Sequence, residues 1–490
     1  VGVGAALPAG RLAVADVAAA WGQGGGRGTL AVCGPDEDAL TLGWAAAEAA
    51  LAAAGLSPDD VGGLWWGTAR PPLPEGPSWA YLATAIGLSQ GVAGLLAGGS
   101  THAGLDALGA AWDALAAGAV ERALVVASDA LVPGEATGAE RSTGAGAVAL
   151  LLARPGRGEA AGRLVRRAGV VRPLLDRYRG EGQDGTGDPY DPRLFRDREL
   201  LPLAKAAAAA LGAVPEGARW SVPDPDGRLG RSVAKAAGAA EVASDGVQSQ
   251  VGDSGSAAPF LGAVRAMTSG GPICLLGVGG GRATAVLIEL DGALPGAAEA
   301  AAALEGGDRG TKPVSYAAVL RARGQLVPAS DPIPMGVPPG SAAFVRGGTE
   351  LLALQGRRCP SCGTLAVPPS IHPVCPTCGT LGGEIVGLAR AGRVHTFVVN
   401  HTMPAPFEAP LPLAVVDLDD GARVMLQGLP EDAAAMAVGD RVRLELRRYA
   451  TERGAPVYGF KVVREAGASG DGGQDGPAGT TVPAPSTREA

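Results

Sequence analysis

Two short cysteine motifs divide this chain and limit what it can fold into. Cys359-Pro-Ser-Cys362 and Cys375-Pro-Thr-Cys378 are separated by twelve residues, and a glycine follows each pair, Gly363 and Gly379. Glycine there permits the tight turn that aims backbone N–H groups at sulfur. Four thiolates at this spacing suit one tetrahedral Zn²⁺, and a site closed by four sulfurs is structural rather than catalytic. An iron site or two unliganded pairs are the alternatives. His372 lies between the pairs but is not needed as a ligand when four cysteines are present. The other two cysteines, Cys33 and Cys274, are far apart in sequence. This is metal-site usage in a reducing compartment, not a disulfide framework, and it predicts a cytoplasmic protein.

Before the cysteine cluster, helical patterns alternate with continuous apolar runs. A short amphipathic helix over 12–21 precedes a Gly-rich loop. Pro35-Asp36-Glu37-Asp38 reads as a helix start, with acids at the positive end of the dipole. The helix puts Leu40, Trp44, Ala47 and Leu51 on one face and ends at Gly55. A strand over 61–67 and a helix over 78–86 follow. The stretch 97–112, AGGSTHAGLDALGAAW, then opens on Gly98, Gly99 and Ser100 and runs into a nearly uncharged helix. A helix apolar almost all round is a buried central helix. Its N-terminus is where backbone N–H groups and the dipole can activate a nucleophile or hold an oxyanion, yet no cysteine lies between Cys33 and Cys274 to use it.

The apolar runs at 123–127 and 144–152 are expected of strands buried on both faces. A polar, Pro/Gly-rich stretch, 173–199, reads as a long loop. Helices over 200–211 and 228–238 flank a short strand at 219–222. A weak repeat is then visible. GDSGSAAPFLGAVRAM (252–267) leads to a strand at 273–277, as 101–118 leads to 123–127, and 283–290 closes the second half as 144–152 closes the first. A duplicated, layered α/β fold with buried central helices is expected. Residues 291–312 read as a linker, 315–323 as a helix and 327–341 as Pro-rich. Beyond Gly392 the pattern becomes alternating strands, with a hairpin turning at Asp419-Asp420-Gly421 and strands at 441–447 and 456–463.

A net charge of −8 argues against non-specific nucleic-acid binding and against an anionic membrane surface. No apolar run reaches the length of a membrane span. No basic segment followed by an apolar core opens the chain, so no signal peptide is expected.

Among titratable residues, His102 stands in the first turn of the central helix, and its plain reading is a hydrogen-bonded helix-start histidine. Asp253 and Ser254 occupy the matching turn of the second half, so His102 and Asp253 would approach each other if the two turns met. His395 and His401 fall at predicted strands and read as structural. Gly277–Gly281 lacks the helix and acid of a dinucleotide site and reads as a close backbone approach.

Two resemblances follow. Residues 1–326 resemble the thiolase superfamily, in its 3-hydroxy-3-methylglutaryl-CoA synthase-like and ketoacyl synthase III-like branch. The stretches that carry it include GPDEDALTLGWAAAEAAL (34–51), VGGLWWGTARPP (61–72), AGAVERALVVASDAL (117–131), STGAGAVALLLA (142–153), VGDSGSAAPFLGAV (251–264) and ICLLGVGGGRATA (273–285). Residues 340–464 resemble the OB-fold proteins with a rubredoxin-like zinc ribbon that accompany thiolases, through RCPSCGTLAVPP (358–369), CPTCG (375–379), GRVHTFVVNHTMPAPF (392–407) and PLAVVDLDDGARVMLQG (412–428). The resemblance implies a thiolase-like domain over 1–326, a linker and lead-in helix over 327–357, a zinc ribbon over 358–385 with Cys359, Cys362, Cys375 and Cys378 as ligands, a β-barrel OB-fold over 386–464 and a disordered tail over 465–490.

It also implies catalytic positions, and this chain departs from each. The nucleophilic Cys falls on Gly98, the general-base Glu on Ala69, the His on Pro223 and the Asn on Asp253. Acyl transfer of the family's kind needs a thiolate. Ser100 or Thr101 has only His102 nearby, and the adjacent residue on a helix points about 100° away. Two readings follow. The first is a non-catalytic subunit that keeps a coenzyme A thioester pocket, scaffolds a thiolase-family partner carrying the reactive Cys, and forms a homodimer core in a larger hetero-oligomer. The second is an enzyme with altered acyl-CoA chemistry (condensing, retro-aldol or acyltransferase) using His102, Asp253 or Ser100. Nucleic-acid binding through the OB-fold is a weaker third, since no aromatic stacking row is evident.

Overall fold

A computed structural model describes the chain except residues 157–159, 188–190, 225–228, 238, 240, 245, 327–347, 404–408, 453 and 466–490. The Pro-rich stretch and nearly all of the expected tail therefore lie outside the described residues.

The first half runs β1 Gly2–Ala6, β2 Gly10–Ala13, α1 Val14–Ala20, β3 Thr29–Ala31, α2 Ala39–Ala54, β4 Gly63–Gly67, α3 Ser78–Ile86, β5 Ala93–Ala97, α4 Ala103–Ala116, β6 Arg122–Ala130 and β7 Ala145–Ala153. The second runs β8 Gly162–Val171, α5 Pro192–Phe195, α6 Leu201–Leu211, β9 Arg219–Ser221, α7 Leu229–Ala236, β10 Glu241–Val242, α8 Val247–Val251, α9 Ala258–Leu261, β11 Gly271–Gly279, β12 Arg282–Leu290 and α10 Ala297–Ala303. Two small elements follow, β13 Lys312–Pro313 and α11 Tyr316–Ala322.

Each half builds one five-stranded sheet, in the orders β1-β7-β6-β4-β5 and β8-β12-β11-β9-β10. In each, the first three strands are antiparallel and the last two join in parallel. The repeat seen in the sequence is thus a repeat of topology. One core packs α4 between the sheets with Leu275, Val286 and Phe260 of the second half. A second lies under α6 and α7. A third lies under α2 and α3. This is the layered α/β arrangement expected from the apolar strands.

Local signals place several elements. The Asp38 carboxylate accepts from the N–H groups of Leu40 and Thr41 while Thr41 Oγ1 accepts from the Asp38 N–H, a reciprocal cap. Gly55 ends α2 at φ 62, a left-handed value that favours glycine. α3 forms over the expected 78–86. Along α4, Leu105, Leu108 and Ala111 are buried, and each leucine contributes roughly 1.5–3 kcal/mol by leaving water.

Elsewhere tertiary context decides. The helix expected over 12–21 starts at Val14, because Leu12 pairs with Leu30 in a β2–β3 ladder. The second central helix, expected over 252–267, is broken into a 3₁₀ turn Gly255–Ala257, α9 and a second 3₁₀ turn Ala266–Thr268. Carboxylates take the Gly255 and Ser256 N–H groups, and Pro259 has none to give. The expected linker 291–312 contains α10, which packs against β1 below the bond from Val3 N–H to the Pro295 carbonyl. The expected loop 173–199 ends in α5 and a π-helical turn Arg196–Leu200 that leads into α6.

The remaining chain holds β14 Gln355–Arg358, β15 Leu365–Ala366 and β16 Glu384–Gly387 around the cysteine pairs. It continues with β17 Ala391–Asn400, β18 Leu411–Leu418, β19 Arg423–Gln427, β20 Arg441–Glu452 and β21 Ala455–Arg464. The last five form one sheet, β19-β18-β17-β20-β21, which a Gly428–Val462 bridge curls toward a barrel.

This barrel does not stand apart. Its Val416, Leu444 and Phe460 share one apolar core with Trp44, Leu82 and Ile86 of α2 and α3. Trp44 meets Phe460 edge-on at 5.6 Å, and the Arg390 guanidinium lies 5.4 Å from both rings. Tyr458 donates to Asp38 Oδ2 at 2.7 Å, Lys461 pairs with Asp36 at 2.9 Å and Arg447 with Glu37 at 2.6 Å. Among the described residues no helix is long and apolar enough to cross a membrane.

Candidate functional site

Turns from both halves meet at one edge of the layered fold. They are the segment after β4 (Thr68–Arg70), the segment between β5 and α4 (Gly98–His102), the turn 252–257, and the β11–β12 hairpin. The glycines of that hairpin make the close approach expected of them. A Cβ on Gly277 would lie 2.7 Å from Leu105 Cδ1, one on Gly279 would run into Thr101 Oγ1, and one on Gly280 would lie 2.7 Å from Ser100 Cβ.

A cavity of about 840 Å³ opens here, with Thr101, Arg141, Asp176, Arg177, Pro223 and Asp253 among its walls. Pro223 and Asp253, two of the four positions to which the resemblance points, thus face one space. Gly98 and Ala69 are not among its walls. A Cβ on Gly98 would meet only the Thr68 carbonyl, at 3.6 Å, so neither packing nor backbone excludes a side chain there.

Asp253 is buried. Its Oδ1 accepts from the Gly255 N–H at 3.1 Å, and Arg177 Nη2 stands 3.8 Å from Oδ2. Burial raises its pKa, with Arg177 opposing. Asp176 is raised in the same way by burial and accepts from the Gly280 N–H at 2.8 Å. The cavity therefore presents carboxyls biased toward the protonated form beside a guanidinium, a set able to exchange a proton with a ligand. The Thr101 hydroxyl in its wall is already engaged, donating from Oγ1 to the Val278 carbonyl at 3.1 Å.

His102 does not join Asp253 in the cavity. It is 1% exposed; its Nε2 lies 2.9 Å from Thr284 Oγ1 and its Nδ1 3.0 Å from Asp106 Oδ2, while Arg282 engages Asp106 Oδ1 at 2.6 Å. This is the plain helix-start reading. Ser100 Oγ accepts from the His102 N–H at 3.2 Å.

Sequence reasoning missed Asp129, at the end of β6. It is fully buried and ties the two halves together. Its Oδ1 accepts from Thr68 Oγ1 at 2.8 Å, Ala69 N–H at 2.9 Å and Arg70 N–H at 3.2 Å, while Oδ2 accepts from Ser256 N–H at 2.8 Å. Burial pushes its pKa up to about 6 against those hydrogen bonds. A lone Asp ending the apolar run LVVAS was the available signal.

The four cysteines do converge. Cys359 Sγ lies 3.5 Å from Cys378 Sγ, Cys362 Sγ lies 3.6 Å from Cys375 Sγ, and all four sulfurs fall within 4.8 Å of one another. Tetrahedral Zn–S bonds of about 2.3 Å require S–S separations of about 3.8 Å, so the donor set fits such an ion. The two knuckles are alike. Gly363 and Gly379 both sit at φ 74, and their N–H groups donate to the Cys359 and Cys375 carbonyls, each at 3.0 Å. Backbone N–H donation, first from Cys378, lowers the Cys375 thiol to about 6. His372 is not part of the cluster.

Comparison with known proteins agrees with both parts of this architecture. The family described as ChsH2, C-terminal OB-fold domain, matches residues 386–447. A DUF35 domain-containing scaffold protein of Methanothermobacter thermautotrophicus is 35% identical over 113 residues, 22% of this chain and 84% of that protein. The hydroxymethylglutaryl-CoA synthase of Pyrobaculum arsenaticum is 31% identical over 240 residues, 46% of this chain and 67% of that protein. The chain belongs to both families, joined in one polypeptide. Its fold also matches a solved structure, MvaS in complex with 3-hydroxy-3-methylglutaryl coenzyme A, at TM-score 0.55 and 21% identity, over 69% of this chain and 93% of that one. The hydroxymethylglutaryl-CoA synthase-like part is the thiolase-type layered fold, and the DUF35-like part is the barrel with its cysteine ribbon.

Proposed function

We propose that this chain is an acyl-CoA-handling subunit whose synthase-like domain is catalytically degenerate and which, through its fused barrel, scaffolds a thiolase-type acyltransferase. One observation carries the reading. The cleft is built and roomy, yet no cysteine stands between Cys33 and Cys274, and Cys274 lies buried within β11. The relative solved with an acyl-CoA supports a thioester as ligand, and the one described as a scaffold supports an assembly role. Arg141 and Arg177 at the cavity wall suit an anionic cofactor such as coenzyme A. The ribbon ion is Zn²⁺ in this reading, with a structural role. The assembly is a homodimer core with the thiolase-family partner attached, and its compartment is the cytoplasm. The domains fall at 1–326, 358–385 and 386–464.

Co-purification with a thiolase encoded beside it tests this. Acyl-CoA turnover should need the mixture and be lost when the partner's cysteine is mutated. Turnover by the chain alone, abolished by Asp253→Ala, would favour the second reading, an enzyme of altered acyl-CoA chemistry. The raised Asp253 carboxyl facing Arg177 in the cavity supports that alternative.

A further inference from the structure

A second, smaller cavity of about 200 Å³ lies where the barrel meets the first domain. Cys33, Glu37 and Asp38 from the start of α2, Arg70 from the turn after β4, Arg323 just past α11 and Arg448 from β20 line it. Its acids are already committed. Glu37 is held by Arg447 and by the Gly34 N–H. Asp38 caps α2 and accepts from Tyr458. Its cations are not balanced in the same way. Arg70 donates to the Asp184 carbonyl at 2.6 Å. Arg448 donates to the Pro35 carbonyl at 2.9 Å and lies 3.9 Å from Asp38. Arg323 is the exception to both patterns, because its Nη1 is closed off from solvent and has no hydrogen-bond partner.

A guanidinium carries five donors and keeps its charge, so leaving one of its donors unanswered inside a protein is costly. Proteins bury such a group when something brings the missing acceptors. Here the guanidiniums come from three separate segments, and the space holds a tetrahedral oxyanion with a few waters, given about 30 Å³ per water. We propose that this cavity is a binding site for an oxyanion of the size of inorganic phosphate, held by Arg323 with Arg70 and Arg448. Planar guanidinium forks match such an oxyanion with paired hydrogen bonds, which a halide cannot accept in the same way. The bound anion would bridge the barrel, through Arg448, to the turn that carries Ala69 and Arg70, and so couple the joint between the domains to the edge of the larger cleft. The site is independent of the acyl-CoA reading.

The test uses the full chain and inorganic phosphate, by calorimetry and equilibrium dialysis at constant ionic strength in chloride. One saturable site per chain is expected. Arg323→Gln should weaken it by roughly tenfold or more, the scale of lost charge-assisted hydrogen bonds, and Arg448→Gln should weaken it as well. Arg141→Gln, in the larger cavity, should leave it unchanged. Without phosphate, Arg323→Met should unfold at no lower urea concentration than the parent chain, because it removes a buried donor that no acceptor answers. The proposal is overturned by the absence of saturable binding, by binding that survives Arg323→Gln, by binding lost on Arg141→Gln, or by an Arg323→Met chain that is destabilised without phosphate.

Discussion

The cysteine ribbon and the cleft are both built by small-residue turns, yet they have been treated differently by this sequence. In the ribbon the turns and all four donor atoms are present, and the sulfurs already sit at separations that suit a tetrahedral ion. In the cleft the turns are present, the glycine hairpin presses against Ser100 and Thr101, and a buried carboxylate holds the two halves in register. No cysteine stands among these turns. On the proposed reading, frame and chemistry are separable. A fold can maintain the shape of a site through hydrogen bonds and close packing that do not depend on the reacting group.

The contrast predicts where mutations should hurt. The largest effect is expected in the ribbon. Cys359→Ser or Cys375→Ser should abolish binding of about one metal ion per chain and unfold the region around β14–β16. Structural zinc supplies about 10–16 kcal/mol in small zinc domains. Metal analysis and hydrogen exchange over 355–387 would check it, and an unchanged exchange pattern would place the ribbon with the cleft, as frame without chemistry.

Next comes Arg447→Ala, which takes from Glu37 its buried cation, while Glu445 keeps Arg309 and Arg443. Removing one partner of a buried pair costs about 3–5 kcal/mol. The barrel should loosen from α2 and become sensitive to limited proteolysis at a lower urea concentration.

Asp129→Asn asks whether the frame of the cleft depends on its hidden carboxylate. Burial holds its folded pKa at about 6, above the roughly 3.9 expected of an unfolded Asp. Between these values the folded state binds the extra proton, so this group favours folding as pH falls from about 6 to 4 and penalises it above. The window is worth about 3 kcal/mol. Urea midpoints measured across it should lose that slope in the variant. The substitution also takes an acceptor from Ser256 N–H or the Thr68–Arg70 turn, costing roughly 1–3 kcal/mol at any pH.

A smaller loss is expected of Gly279→Ala, whose Cβ would collide with Thr101 Oγ1. Overpacking of this kind costs about 1–3 kcal/mol, readable as a lower melting temperature. The smallest effect belongs to Gly98→Cys. The site has room, so stability should move by less than about 0.5 kcal/mol. With Ala69 and Pro223 unchanged, the new thiol should not take the acyl group from acyl-CoA with release of coenzyme A, as mass spectrometry of the incubated protein would report. Catalytic turnover would show that the cleft lacks one atom rather than a site.

Much of this was legible in the chain. α2 carries its own signals, a reciprocal cap at Asp38 and a left-handed glycine at Gly55, α3 ends at a left-handed Gly87, and the ribbon is written in its spacing. Other parts depend on partners far away in sequence. β1 is five small residues with no periodicity, and it becomes a strand only against β7, nearly 150 residues later. β5 was hidden by the glycines that flank it, and α10 by an alanine run that looks like filler until β1 covers one face. The broken helix after Asp253 could not be read locally, since Asp129 claims one of its N–H groups from the other half. Asp129 itself shows the same limit. Its sequence context says only that a strand ends there, while its four acceptor contacts exist only after both halves have folded.

The apolar core shared by α2, α3 and the barrel bears on the history of the polypeptide itself. Its two parts resemble proteins that occur separately, each matched over most of its own length. Here their contact buries Trp44, Phe460 and Tyr458 and encloses the Arg447 charge, which is the anatomy of a permanent subunit interface rather than of two domains on a string. The covalent connection through 327–347 then acts mainly on concentration: it fixes the pairing at one to one and removes the entropy of finding a mate. Cutting the chain there should leave two fragments that remain together through purification, as separately encoded subunits would.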